Sequence, residues 1–183
     1  DTSAAGDPSE QQTKLAVAEA LLRSLSAGDR FAVMSADVTA TVLYPPEGLA
    51  DASPEAISQA LEKVAQHAAG GATDLGAIFE MALQRVHSAE QPAIVYVGDG
   101  LATSGERSSD GLAERLRRTL TGSRARLFTV GVGAQVDERL LARLPEGRAA
   151  THRPFILALV PTRELANQVA EAFHRYGGGA GRV

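Results

Sequence analysis

The chain has no cysteine and no tryptophan, and aromatic residues make up only 4% of it. Without thiols it has no disulfide, no thiolate nucleophile and no Cys-ligated zinc, though a cysteine-free chain is at ease in either redox compartment. With so few rings, its 44% of apolar residues must build a core from Ala, Val, Leu and Ile. No apolar run reaches the ~18 residues that a membrane span requires. A basic excess is missing too. The formal net charge is −4, whereas a general nucleic-acid binder is normally basic. No G-x-x-x-x-G-K-[S/T] loop occurs, so nothing of that kind cradles a nucleotide's phosphates. What remains is a chain of 183 residues, long enough for one well-packed domain with a short appendage.

Helical and extended patterns alternate along it. "SEQQTKLAVAEALLRSL" carries Leu15, Ala18, Leu21, Leu22 and Leu25 at helical spacing, with Ser9 as the expected N-cap and Gly28 just beyond its end. "RFAVMSAD" and "TATVLYPP" read as two short strands, the second stopped by Pro45 and Pro46. "SPEAISQALEKVAQHA" is a helix with Ser53 as N-cap and Pro54 at its first position, where proline's missing N–H costs nothing. "TDLGAIFEMALQRVHSA" is another helix. "PAIVYVGDG" and "ARLFTVGVG" are apolar runs suited to strands buried on both faces, and the helices "DGLAERLRRTLTGS" and "DERLLARL" follow them. This rhythm indicates an α/β fold, a mostly parallel sheet with helices on both faces. The rhythm breaks at "RAATHRP", which places a boundary near Ala150. Residues 1–150 then form one domain, and 151–183 a strand–helix segment packed on the same sheet with a frayed Gly-rich tail.

Ligands of open parallel sheets gather at the C-terminal ends of the strands. Three loops with oxygen chemistry are candidates: Asp1, Thr2 and Ser3; "GGATDLG", where Thr73 and Asp74 open a helix; and "VGDGLATSG", with Asp99 between Gly98 and Gly100. Carboxylates and hydroxyls without imidazole or thiolate suit a hard ion such as Mg2+, Mn2+ or Ca2+ rather than zinc. Simpler roles are open to the same residues: Thr73 or Asp74 as a helix N-cap, Asp99 as a turn residue, Asp1 and Ser3 as a frayed terminus. His67, His87, His152 and His174 lie far apart and read as surface residues, and Asp37 and Asp51 as solvated loop residues.

"DTSAAG", "GDRFAVMSADVTATVLYPP", "GGATDLG", "IVYVGDGLATSGE" and "RLFTVGVGAQVDERLLARL" together resemble a bacterial von Willebrand factor A domain, of the type that accompanies inter-alpha-trypsin-inhibitor proteins. The resemblance covers residues 1–148. It implies a Rossmann-like fold, no catalysis, a metal-ion-dependent adhesion site (MIDAS), and a protein ligand that offers a carboxylate to the ion. Carried over residue by residue, the metal ligands would be Asp1 and Ser3 from the D-x-S-x-S loop, Thr73 from the second loop and Asp99 from the third. Ala5 departs from the pattern, for its methyl stands where the second Ser would give an oxygen. The family also has a buried strand just before the first loop, so the expected sheet lacks its usual first strand. Both departures weaken the site, and the cation is expected to bind weakly or not at all. The resemblance makes a cell-envelope or secreted location plausible.

"RPFILALVPTRELANQVAEAFHRYG", residues 153–177, resembles instead the motif Ia region of a DEAD-box RNA helicase. That resemblance implies a backbone contact to RNA from Pro161, Thr162, Arg163 and Glu164, of which Thr162 and Arg163 are the candidate nucleic-acid-binding residues. Neither "DEAD" nor "SAT" accompanies it, and one arginine supplies too little phosphate affinity to act alone. A chimeric or truncated scaffold with no ligand is one alternative reading, and a fragment of a helicase-related protein another. "VYVGDG" is also similar to a loop of haloacid-dehalogenase-like phosphatases. Those enzymes need a second acid two residues after the nucleophilic Asp, and Asp1-Thr2-Ser3 has Ser there. For "FILALV" the sequence leaves two places, the sheet edge or the vacant central slot between "RFAVMSAD" and "AIVYVGDG". Its two-faced apolar character favours the centre.

Purified protein is expected to show no RNA-stimulated ATPase activity. Tight RNA binding that persists at physiological salt and disappears in Arg163→Ala would contradict this.

Overall fold

Proline at an N-terminal helical position has no intrahelical bond to lose, and Pro8 begins α1, Pro8–Arg23. Ser9 therefore lies inside the helix rather than capping it. The computed structural model describes residues 8–36, 40–67, 73–90, 92–133, 135–143 and 157–159. Four short strands follow α1: β1 Arg30–Phe31, β2 Val33–Ala36, β3 Ala40–Tyr44 and β4 Ala50–Asp51. β2 and β3 pair antiparallel, as do β1 and β4. Asp51 is thus a strand residue, paired with Arg30 in register and lying 3.6 Å from its guanidinium.

Helix α2, Pro54–Gln66, starts as its sequence predicts: Ser53 Oγ accepts from the Ala56 amide at 3.1 Å, and Pro54 occupies the first turn. Helix α3, Leu75–Val86, then leads to β5, Ala93–Gly98. Helix α4, Ser109–Leu120, crosses to β6, Arg126–Gly131, and α5, Glu138–Arg143, crosses towards β7, Leu157–Leu159. β5, β6 and β7 form a parallel sheet in that order.

Side chains alternate across a strand, and here they divide two cores. Met34, Ala36, Ile94, Tyr96 and Leu127 pack with α3, α4 and α5. On the other side Phe31, Val33 and Tyr44 pack with Leu22 of α1 and Ile57 and Ala60 of α2. The anchors of α4 are Leu112, Leu116 and Leu120, one per turn on a single face and all buried. Each contributes about 1.5–3 kcal/mol by leaving water. Among the described residues no helix is long and apolar enough to cross a membrane.

Two expectations change. β6 is buried on both faces, but β5 is not: Val95 is 38% exposed, while Tyr96 beside it is enclosed. Among the described residues β5 has one hydrogen-bonded neighbour, β6, and Val95 lies on the face opposite Tyr96 and its core. Nor does "FILALV" enter the slot between β2 and β5. Thr129 pairs with Leu157, Val130 with Ala158 and Gly131 with Leu159, which puts β7 beyond β6. The parallel pairing with β6 thus decides the place of this strand, which its own composition does not.

An edge strand of this kind is an addition to the sheet rather than its keystone. Deletion of residues 151–183 is expected to leave a chain that still melts cooperatively. In the intact protein the amides of residues 157–159 should exchange well before that of Val130. Equal protection of both, or an unfolded truncated chain, would contradict the edge assignment.

Candidate functional site

The parallel strands β5 and β6 end level with one another, Gly98 opposite Gly131. Beyond that line the chain folds back under backbone control. The Val132 amide donates to Gly98 O at 3.0 Å, and the Asp137 amide to Asp99 O at 2.8 Å. Asp99 Oδ1 accepts from the Leu101 amide at 2.9 Å, a local turn that Asp favours. Gly100 has φ +76°, and an added Cβ would lie 3.0 Å from the Leu141 side chain, so both conformation and space require glycine there. Its amide donates to the Tyr96 hydroxyl at 3.3 Å.

Tyr96 is the buried floor of this loop, with its ring tilted against Phe79 at a centroid distance of 5.6 Å. Burial first, and then the negative charge of Asp99, push the phenol well above its ordinary range. It stays neutral at any physiological pH and serves as a fixed polar contact rather than an acid. Asp99 itself is half-buried, and among the described residues no cation pairs with it.

The second loop separates two neighbouring residues whose roles the sequence left open. Asp74 is the N-cap of α3: its Oδ1 accepts from the Ala77 amide at 3.1 Å. Arg115 faces it at 4.0 Å and holds Glu80 at 2.8 Å; the bond to Glu80, chiefly, raises the guanidinium's pKa. Gly105, at φ +65°, passes so close that any side chain there would collide with the Asp74 carboxylate. Asp74 is thereby occupied with capping and charge pairing. Thr73 is not the cap. It is wholly buried, its amide donates to Thr103 Oγ1 at 2.7 Å, and its carbonyl accepts from the Thr103 and Ser104 amides at 3.0 and 3.2 Å.

These bonds join the Thr73 loop to the loop that begins at Asp99. Of the expected metal ligands, Thr73 and Asp99 are therefore carried on two loops that the backbone ties together. Asp1 and Ser3 lie outside the described residues, as do Ala5, Thr162 and Arg163. Among the described residues no group of three or more His, Asp or Glu side chains makes a metal cage. One hydroxyl and one carboxylate are donors of the right hardness for Mg2+, Mn2+ or Ca2+, and the remaining oxygens would have to come from residues 1–7. His87 is exposed and its Nδ1 lies 2.7 Å from Gln84 O, while His67 ends α2 half-buried.

Three residues here escaped the sequence reading. Thr103 and Tyr96 support Thr73 and Gly100, and nothing local marks them. Asp137 stands before an apolar-periodic helix, so its capping role carries a signal; its bond to Asp99 carries none. A depression of about 500 Å³ beside it is lined by Ser108, Ser109, Asp110, Arg139 and Arg143, and Arg143 is paired with Asp110.

An α/β sheet with oxygen-bearing loops at its strand ends defines the class. The profile of the von Willebrand factor type A domain matches residues 1–148. The chain belongs to that family. Among solved structures, the von Willebrand factor type A protein from Catenulispora acidiphila aligns with a TM-score of 0.77 at 17% identity, over 91% of this chain and 38% of that one. Manganese-loaded TRAP from Plasmodium vivax gives 0.58 at 16%, over 87% and 63%. Proximal thread matrix protein 1 of the mussel byssus, with a zinc-occupied MIDAS motif, gives 0.63 at 10%, over 91% and 42%. At such identities the likeness is one of fold, and this chain spans well under half of the Catenulispora protein's length. No curated protein matches it in sequence.

Proposed function

We propose that this chain is a non-catalytic, protein-binding domain with a degenerate divalent-cation site at the C-terminal ends of its strands. One observation carries the reading. Asp99 stands between Gly98 and Gly100, its Oδ1 held by the Leu101 amide and its charge met by no cation among the described residues, beside the loop that carries Thr73. With Oδ1 in the turn bond and no counter-charge among the described residues, the carboxylate keeps lone pairs that suit a hard ion. Asp1, Ser3, Thr73 and Asp99 would hold the ion, Mg2+, Mn2+ or Ca2+, with the methyl of Ala5 in place of a fifth oxygen. When bound, the ion would offer an open coordination position to a carboxylate of a partner protein.

The family membership supports this, as do the manganese and zinc reported in the Plasmodium and mussel proteins for those proteins. The inter-alpha-trypsin-inhibitor-associated subtype, and a place in the cell envelope or outside the cell, belong to the same proposal through the sequence resemblance alone. The helicase-like stretch adds no nucleic-acid function to it. Without a nucleotide loop, Thr162 and Arg163 would give at most a weak phosphate contact.

Titration calorimetry with Mn2+ tests the site. The natural chain should bind weakly, and Asp99→Ala should not bind. Ala5→Ser, which restores an oxygen, should tighten binding about tenfold, equivalent to about 1.4 kcal/mol. Equal and undetectable binding by all three proteins would contradict the proposal and favour a scaffold that takes no ion.

A further inference from the structure

Asp137 makes more bonds than a helix cap needs. Capping of α5 requires one carboxylate oxygen on the third amide of the helix, and Oδ1 supplies it by accepting from Leu140 at 2.9 Å. The other groups reach elsewhere. Oδ2 accepts from Ser109 Oγ, the first residue of α4, at 2.5 Å. The Asp137 amide donates to Asp99 O at 2.8 Å, and its carbonyl accepts the Leu141 amide at 3.0 Å. One residue thus joins the start of α4, the start of α5 and the main chain of Asp99.

The neighbouring contacts leave little play. Leu141 is wholly buried and lies so near Gly100 that a Cβ there would crowd it. The far end of α5 is latched to β6, where the buried Thr129 Oγ1 donates to Leu141 O at 3.0 Å. The loop bearing Asp99 therefore rests on α5 through one backbone hydrogen bond and one packing contact. Both depend on where Asp137 is held. Ser109 holds it from the α4 side, at a site 28 residues away in the chain.

We infer that Asp137, fixed by Ser109, is the positioning residue for Asp99, and that the α4–α5 junction sets the geometry of the candidate cation site. The cation part of this rests on the function proposed above; the positioning part does not. Loss of the Ser109 bond frees Oδ2 but leaves the α5 cap intact, so Asp137 can shift and carry the Asp99 carbonyl with it.

The experiment is native-state hydrogen exchange by NMR on the full chain, with Ser109→Ala and, separately, Asp137→Ser, which keeps a good N-cap but has no second acceptor oxygen. In Ser109→Ala the amides of Gly100 and Asp137 should exchange about tenfold faster, the scale of one lost hydrogen bond. The amide of Val130, in the middle of β6, should not change. Asp137→Ser should speed Gly100 exchange alike, and the double variant should add little beyond either single one. Unchanged Gly100 and Asp137 amides would overturn the inference. So would uniform acceleration that includes Val130, because that marks a merely structural contact. If the natural chain binds Mn2+, both variants should weaken it several-fold while the urea midpoint moves little. If it binds none, the proposed function fails, and the exchange pattern still decides the positioning role.

Discussion

The parallel register of β5 and β6 is the constraint on which the rest of the molecule depends. Because Gly98 and Gly131 stand opposite one another, both strands deliver their following loops to the same edge of the sheet. That alignment lets the Val132 amide meet Gly98 O and brings Asp137 within reach of Asp99. A slip of one residue would turn Tyr96 away from Phe79 and expose the face that now carries the larger core. The register is itself specified by burial. Val130 and Thr129 are wholly enclosed, and the hydroxyl of Thr129 is accommodated only because Leu141 O accepts from it. Position of the loops, burial of the strands and attachment of α5 are thus one cooperative arrangement.

Local chemistry explains which parts of this were legible in the sequence. Ser53 and Pro54 act within their own turn, so the start of α2 could be read locally. The apolar runs of β5 and β6 and the leucine spacing of α4 similarly announce burial and period. Where an outcome depended on distant partners, the reading was incomplete or wrong. "FILALV" is recognisably a strand, but nothing in those six residues says that its neighbour is Thr129–Gly131 rather than β2. Val95 looks like every other core valine in the sequence, and its exposure depends on what packs over its face of the sheet. β4 is too short to be seen without Arg30 and Phe31 opposite.

The same distinction applies to the site. Thr73, Asp74 and Asp99 stood out because oxygen-bearing residues next to glycines at strand and helix ends are recognisable locally. Their division of labour was not. Asp74 became the cap because its carboxylate meets the Ala77 amide and has Arg115 nearby, while the main chain of Thr73 is tied to Thr103. The result leaves one acid neutralised by structure and the other, Asp99, without a counter-charge among the described residues. Tyr96, Thr103 and Asp137 support these groups from three separate elements, which is why no short stretch of sequence contains the site.

The central proposal is that the Asp99 carboxylate, which has no counter-charge among the described residues, meets a cation beside the Thr73 loop. Crystals of the full chain grown with Mn2+ and measured near the manganese absorption edge test it most directly. The account predicts an anomalous peak within ligand distance of Asp99 and Thr73, approached from the third side by residues 1–7. Ordered loops with a solvent molecule but no anomalous signal at saturating Mn2+ would contradict it.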